Sequence, residues 1–323
     1  MKILVTARSF RKNPGRHREL LEQSGYEIVE SPLDRPLKET EMVELIGDID
    51  GAILGLDYVT ANVIEAGQQL KVLSRYGVGF DRVDVAAATA AGIVVTNTPG
   101  TNHIAVAELT LALMLSLARR IPQHDRTVKQ GSWDRVQGSE LAGKTLGIVG
   151  LGLISREVIR RASAFDMTIL IQSRYPDGEL TDRYGVEYVP LEDLLQRSDF
   201  VSLHCTVTPE RYDLIGEKEL RAMKPSSYLV NTARGELVDE EALLVALQEG
   251  WIAGAAMDAF KQEPATASPL VRLDNFIATP HIGATTHESV LRMGVLAAEN
   301  TLQVLRGERP AYVVNPEVYE RLR

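Results

Sequence analysis

Short runs rich in β-branched residues alternate with helix-length amphipathic segments along almost the whole of this 323-residue chain. In the first hundred residues the strand-type runs are Lys2–Thr6, Tyr26–Val29, Gly51–Leu54, Lys71–Ser74 and Ile93–Val95. Arg16–Ser24, Thr60–Ala66 and Val83–Ala91 lie between them with helical spacing of apolar positions. Such alternation predicts a parallel sheet with helices on its faces. Thr98-Pro99-Gly100 breaks the rhythm, and a helix apolar on nearly every face comes next, from Ala105 to Arg120. After a stretch with few strand signals, 121–141, a second alternation begins at Lys144. Its strands are Thr145–Val149, Thr168–Gln172, Phe200–Leu203, Ser227–Thr232, Ala253–Met257 and Phe276–Thr279, and a last helix spans 288–306.

The pattern predicts an α/β protein of two Rossmann-like, doubly wound parallel-sheet domains with an interdomain cleft. The last helix is long enough to return to the first domain. The expected division is therefore 1–99 plus 289–323 for a flavodoxin-like, substrate-binding domain, and 100–288 for a dinucleotide-binding domain. A helix apolar on all faces is buried on all faces. With a sheet on one side of Ala105–Ala118, a second subunit is the expected cover for the other, in a two-fold homodimer.

Composition narrows the function classes. Hydrophobic residues make up 45% and charged residues 24%, as in ordinary globular proteins. Lys plus Arg number 35 against 44 Asp plus Glu, a net charge of −9, which disfavours bulk binding to nucleic acid or anionic membrane. No run of about 18 apolar residues is present. The first residues, MKILVTARSF, lack an export signal, so the expected location is cytoplasmic. One cysteine, Cys205, excludes an internal disulfide and a multi-cysteine metal site, and no His/Asp/Glu spacing suggests a metal.

In open parallel sheets ligands bind beyond the carboxyl ends of the strands. There the second alternation places Gly150-Leu151-Gly152-Leu153-Ile154-Ser155, then Ser173 and Arg174, then His204, Cys205 and Thr206. Ala233 and Arg234 follow Thr232, Asp258 and Glu263 follow Met257, and His281 and Gly283 follow Thr279. Gly150 suits a tight turn, Gly152 the close approach of a pyrophosphate, and Ser155 the small third position that packs helix on strand. The helix N-terminus beyond them favours phosphate. The expected dinucleotide contacts are thus Gly150, Gly152, Leu153, Ile154, Ser155, Ser173, Arg174, His204, Cys205, Thr206, Thr232, Ala233, Asp258, His281 and Gly283. Asp258 has a second reading as a helix cap.

His281 is the natural proton donor, with Glu263 to orient it, since a carboxylate partner favours the protonated ring and fixes its tautomer. Arg234 suits a planar grip on an oxoacid carboxylate, unless it pairs at the surface with Asp239 or Glu240. In the first domain, Arg75-Tyr76-Gly77-Val78-Gly79 follows a strand; its backbone N–H groups suit a carboxylate, and a plain turn is the other reading. No acid closes the run Thr168–Gln172, where an NAD site places one. Ser173-Arg174 there predicts NADP in preference to NAD, with Arg174 pointing to solvent as the other reading.

The chain resembles the D-isomer-specific 2-hydroxyacid dehydrogenases. The resemblance rests on RYGVGFDRVD (75–84), VVTNTPG (94–100), VAELTLALML (106–115), GIVGLGLIS (147–155), MKPSSYLVNTARGELVDEEAL (223–243), AGAAMDAFKQEP (253–264) and TPHIGATT (279–286). It is most similar to the phosphoglycerate dehydrogenase-like and glyoxylate/hydroxypyruvate reductase-like members. The resemblance implies Arg234, Glu263 and His281 as the catalytic trio and Asp258 near the nicotinamide. It also implies a homodimer, with Ala105–Ala118 and the following arm at its interface, and reversible reduction of a 2-oxo acid to a D-2-hydroxy acid. Ser155, Cys205-Thr206 and Ser173-Arg174 depart from the family pattern. Leu54 stands where some phosphoglycerate dehydrogenases carry a phosphate-binding arginine, which weighs against that substrate. A non-catalytic alternative is a nucleotide-sensing protein like the C-terminal-binding-protein corepressors; the complete trio argues against it.

Overall fold

The computed structural model describes residues 1–321; Leu322 and Arg323, part of the expected first domain, lie outside the described residues. The chain divides into two compact units, Met1–Asn102 with Ala284–Arg323, and His103–Gly283. The breaks therefore fall at 102/103 and 283/284, against 99/100 and 288/289 in the sequence reading.

The first unit holds five parallel strands: β1 (Lys2–Val5), β2 (Glu27–Glu30), β3 (Gly51–Leu54), β4 (Val72–Arg75) and β5 (Val94–Thr96), in the order β2-β1-β3-β4-β5. Period-two alternation sends neighbouring side chains to opposite faces. Leu4 thus joins the core under the Glu39–Ile46 helix, while Ile3 and Val5 meet Met293, Ala297 and Ala298 of the His287–Leu305 helix. That last helix packs on the first unit, and the Ser74 hydroxyl donates to its Ala297 carbonyl at 3.2 Å.

The second unit has seven parallel strands where the sequence pattern gave six. They are β6 (Thr145–Val149), β7 (Thr168–Gln172), β8 (Glu187–Tyr188), β9 (Phe200–Leu203), β10 (Tyr228–Asn231), β11 (Gly254–Met257) and β12 (Phe276–Ala278), in the order β12-β11-β10-β9-β6-β7-β8. The extra strand, β8, is a two-residue edge piece with no apolar run to announce it. The reversal of order at β6 is the topological switch point of a doubly wound sheet, and the crevice for a ligand opens at its carboxyl end.

Some of the helices were not expected, Glu39–Ile46 among them. Arg8–Lys12 follows β1 directly, and Ile121–Lys129 begins with Pro122 in its first turn, where proline costs no hydrogen bond. The expected cover of Ala105–Ala118 by a second subunit is not needed to account for its burial. The helix, His103–Arg119, is covered on most sides by its own unit: Ala107, Leu111, Leu113, Met114, Leu117 and Ala118 are buried with Leu146, Val158 and Ile159. Large exposed apolar residues lie beyond it, at Ile121, Val128 and Trp133.

Candidate active site

The glycine turn after β6 is built for a close neighbour. Gly150 adopts φ +96°, and a Cβ there would stand 2.8 Å from the Cys205 backbone nitrogen. Any other residue would be strained and would collide. Gly152 faces open space, with no heavy atom within 4 Å of where its Cβ would be. The Ser155 hydroxyl accepts the Gly152 N–H at 2.6 Å and is itself buried, so serine serves in place of a third glycine. The helix Leu153–Ser163 comes next, and the first-turn N–H groups of Leu153 and Ile154 have no intrahelical acceptor. A cradle without side chains at the head of an 11-residue helix fits a dinucleotide pyrophosphate.

Around this turn the expected contacts divide. Leu153, Thr206 and Arg174 are exposed, while Cys205 packs beneath the glycine turn, where burial pushes its thiol pKa up despite the nearby Arg211. His204 receives a hydrogen bond at Nε2, or donates one, with the Ser202 hydroxyl at 2.9 Å; its Nδ1 is buried without a partner among the described residues. Burial pushes the His204 pKa down to about 4, so the ring is neutral at physiological pH. The buried Thr232 hydroxyl meets that of Thr110 at 2.9 Å. The Ser173 hydroxyl closes a local turn, accepting the Tyr175 N–H at 3.1 Å.

The reactive side chains come together beyond β10, β11 and β12. Nδ1 of His281 lies 2.8 Å from Oε1 of Glu263. The ring sits on a backbone of φ +55°, a left-handed conformation unusual for a non-glycine residue. Asp258 holds that turn from beneath. Its buried carboxylate accepts the Thr279 hydroxyl at 2.6 Å, the Ile282 N–H at 2.8 Å and the Gly283 N–H at 2.8 Å. It is 2% exposed and caps no helix, so the alternative reading as a helix cap falls: these contacts all go to the His281 turn. The Gly283 N–H is likewise committed to Asp258.

Arg234 lies half-buried just after β10. The turn is fixed by buried Asn231, whose Nδ2 donates to the Arg234 carbonyl at 2.7 Å and whose Oδ1 accepts the Ala233 N–H at 3.0 Å. Asn231 was not singled out from the sequence; its place on a strand next to Thr232 was the available signal. The Arg234 guanidinium donates to the Ala233 carbonyl at 2.8 Å, next in the chain.

In the first unit, Arg75 is buried and turned into the protein. It donates from Nε to the Gly79 carbonyl at 2.9 Å and from Nη1 to the Leu54 carbonyl at 2.9 Å. Arg75 thus shapes the turn it was expected to arm. Leu54 is fully buried. The Tyr76 N–H goes to the Leu54 carbonyl and the Gly77 N–H to the Thr98 hydroxyl at 3.0 Å. Among the described residues, the N–H groups of Val78 and Gly79 meet no acceptor. Burial pushes the Tyr76 pKa up to about 12, against the effect of Ser9, so that side chain stays neutral.

Among the described residues no His/Cys/Asp/Glu cluster could hold a metal, and no helix is long and apolar enough to cross a membrane. The description "D-isomer specific 2-hydroxyacid dehydrogenase, NAD binding domain" matches residues 111–283. A glyoxylate reductase of Thermofilum pendens is 46% identical over 302 residues, covering 90% of this chain and 88% of that protein. A D-3-phosphoglycerate dehydrogenase of Methanocaldococcus jannaschii is 45% identical, covering 90% of this chain and 56% of that longer protein. The crystal structure of a glyoxylate reductase from Paecilomyes thermophila superposes with a TM-score of 0.84 at 31% identity, covering 98% of both chains.

Proposed function

Because the chain belongs to the D-isomer-specific 2-hydroxyacid dehydrogenase family, and is an NAD(P)-dependent 2-hydroxyacid dehydrogenase, we propose that it reduces glyoxylate and related small 2-oxo acids. The relatives named glyoxylate reductase support that substrate class. The observation that carries the chemistry is the 2.8 Å contact of His281 with Glu263. When bound, the nicotinamide supplies the hydride. His281 then gives a proton to the carbonyl oxygen of the substrate. Glu263 fixes the ring so that Nδ1 faces the carboxylate and Nε2 is left for the substrate. The planar guanidinium of Arg234 holds the substrate carboxylate, as an ammonium could not. The Val78 and Gly79 N–H groups are a further anion holder of the kind a carboxylate needs.

Gly152 and the N–H groups of Leu153 and Ile154 would hold the pyrophosphate of the cofactor. NADPH is preferred over NADH. No acid stands at Gln172–Arg174 to repel a 2′-phosphate, and Arg174 is exposed and able to pair with one. Asp177 is occupied by Arg156 at 2.5 Å, which lowers its pKa. A two-fold homodimer is the proposed assembly, favoured by exposed Ile121, Val128 and Trp133, the last 76% exposed.

Initial rates of reduced-cofactor oxidation with glyoxylate, hydroxypyruvate and pyruvate, each with NADPH and NADH, test this reading. Saturable oxidation with glyoxylate is expected. Nucleotide binding without turnover of any 2-oxo acid would favour the non-catalytic alternative instead.

A further inference from the structure

We propose that Glu240 is a positioning residue for the reaction: by accepting the Lys261 N–H it holds the turn that presents Glu263 to His281. The inference rests on the catalytic roles of Glu263 and His281. The turn leaves β11 at Asp258 and is anchored at its start by buried Ala259 and Phe260. Its far end carries Glu263, one oxygen of which serves two contacts. Oε1 of Glu263 accepts the Phe260 N–H at 3.2 Å and meets Nδ1 of His281 at 2.8 Å. A small shift of the turn therefore changes both contacts together.

The segment that carries Arg234 restrains the turn from outside. The Lys261 N–H donates to Oε1 of Glu240 at 2.8 Å. Glu240 opens the helix Glu240–Gln248, whose own start is capped by the Asp239 carboxylate accepting the Glu241 and Ala242 N–H groups. Gly235 supplies the contact surface: a Cβ there would lie 2.1 Å from the Phe260 carbonyl carbon and 2.2 Å from the Lys261 nitrogen. The two backbones touch, and only glycine allows it. The Lys261 ammonium completes the brace, pairing with Asp213 at 2.5 Å above the Tyr212 ring.

The Glu240 site is not a favourable place for a carboxylate unless it holds something. It is half-buried near Glu236 and Asp213, and burial pushes its pKa up against the pull of Lys261. Its reach to the Lys261 N–H ties the Arg234 segment to the backbone of the Glu263 turn. Glutamine has the same reach and still accepts the bond; aspartate keeps the charge but is one methylene short.

The test compares Glu240→Ala, Glu240→Asp, Glu240→Gln and Glu263→Gln in the full chain, with glyoxylate and NADPH. Misplacing a proton donor's partner lowers turnover more than binding. Glu240→Ala and Glu240→Asp should lose about tenfold in kcat, with the NADPH dissociation constant and Tm held near wild type. Glu240→Gln should recover kcat to within about twofold. Glu263→Gln should lose about a hundredfold, as removal of a general acid's partner does. If Glu240→Ala and Glu240→Asp keep full kcat while Glu263→Gln falls, the brace is wrong and the trio stands. If Glu263→Gln keeps full kcat, the trio and the brace fall together. If Glu240→Gln is as slow as Glu240→Ala, or kcat falls only in step with Tm, Glu240 is structural and the proposal is overturned. Should Glu240→Ala fail to fold, the Asp and Gln variants decide alone.

Discussion

Gly77 and Gly150 each follow a parallel strand interior to its sheet, and each takes a positive φ, +147° and +96°. Each is followed two residues later by a second glycine, and each turn leaves neighbouring N–H groups without an acceptor among the described residues. There the likeness ends. The Gly150 turn runs straight into an 11-residue helix and is tied by a single hydroxyl, Ser155 on Gly152. The helix contributes dipole and first-turn donors together, which suits a doubly charged pyrophosphate. The Gly77 turn meets no helix until Val85, and its shape comes from side chains that hold its carbonyls: Arg75 on Gly79, Asn97 on Val78. It offers two donors at Val78 and Gly79 and no dipole, which suits one carboxylate. A doubled glycine thus specifies a close approach, while the next element along the chain specifies the charge that approaches.

Breaking each turn separates the two roles. Gly150→Val forces a side chain into a left-handed position against Cys205. NADPH binding should vanish, and all turnover with it, while the first unit's contacts stay intact. Fluorescence titration of NADPH checks this, and tight binding by the variant would count against the cradle. Gly77→Ala strains its turn by about 1–3 kcal/mol without touching the cofactor cradle. The KM for glyoxylate should rise about tenfold, with the NADPH dissociation constant unchanged. A rise in cofactor dissociation constant instead would mean the two turns are not separable.

The cofactor turn is sharpened further at its neighbour strand. Arg174→Ala should weaken NADPH by about tenfold with little change for NADH, and Ser173→Asp should move the preference toward NADH. A wild-type preference for NADH would contradict the reading of both residues. The smallest effect concerns His204, beside the Gly150 turn. An unfolded histidine takes a proton near pH 6.5, whereas the folded ring resists it until about pH 4. Its contribution to stability is therefore complete above pH 6.5 and is lost as pH falls toward 4. Denaturant titrations at pH 7 and pH 5 should show His204→Asn losing less stability over that interval than wild type, by on the order of 1 kcal/mol. Equal losses would place the acid sensitivity elsewhere.

The strands, the glycine turns and the pairing of His281 with Glu263 were legible because short-range pattern carries them. β3, β6, β7 and β9 match their expected spans residue for residue, since each is a short apolar run bounded by turn residues. β8 was not legible, because two residues at a sheet edge, Glu187 exposed and Tyr188 half-buried, are too few to show a pattern. The Glu39–Ile46 helix was missed because only Met42 and Ile46 mark its buried face. The departures within the site share a cause. Asp258 spends its carboxylate on residues more than twenty positions away, and Arg75 donates to the carbonyls of Leu54 and Gly79. A charged residue at a strand's end looks the same in sequence whether it faces a ligand or holds up the turn beside one. Only the partners distinguish Asp258 from Glu263, and those partners are brought together by the fold.

If the second unit's edge does chemistry with side chains, it does so through His281 held by Glu263. The decisive quantity is kcat for His281→Ala with glyoxylate and NADPH, taken alongside the NADPH dissociation constant of the same preparation. A kcat lower by about two to four orders of magnitude, with cofactor binding unchanged, is expected. Turnover within a few-fold of wild type would contradict the role of His281 as proton donor.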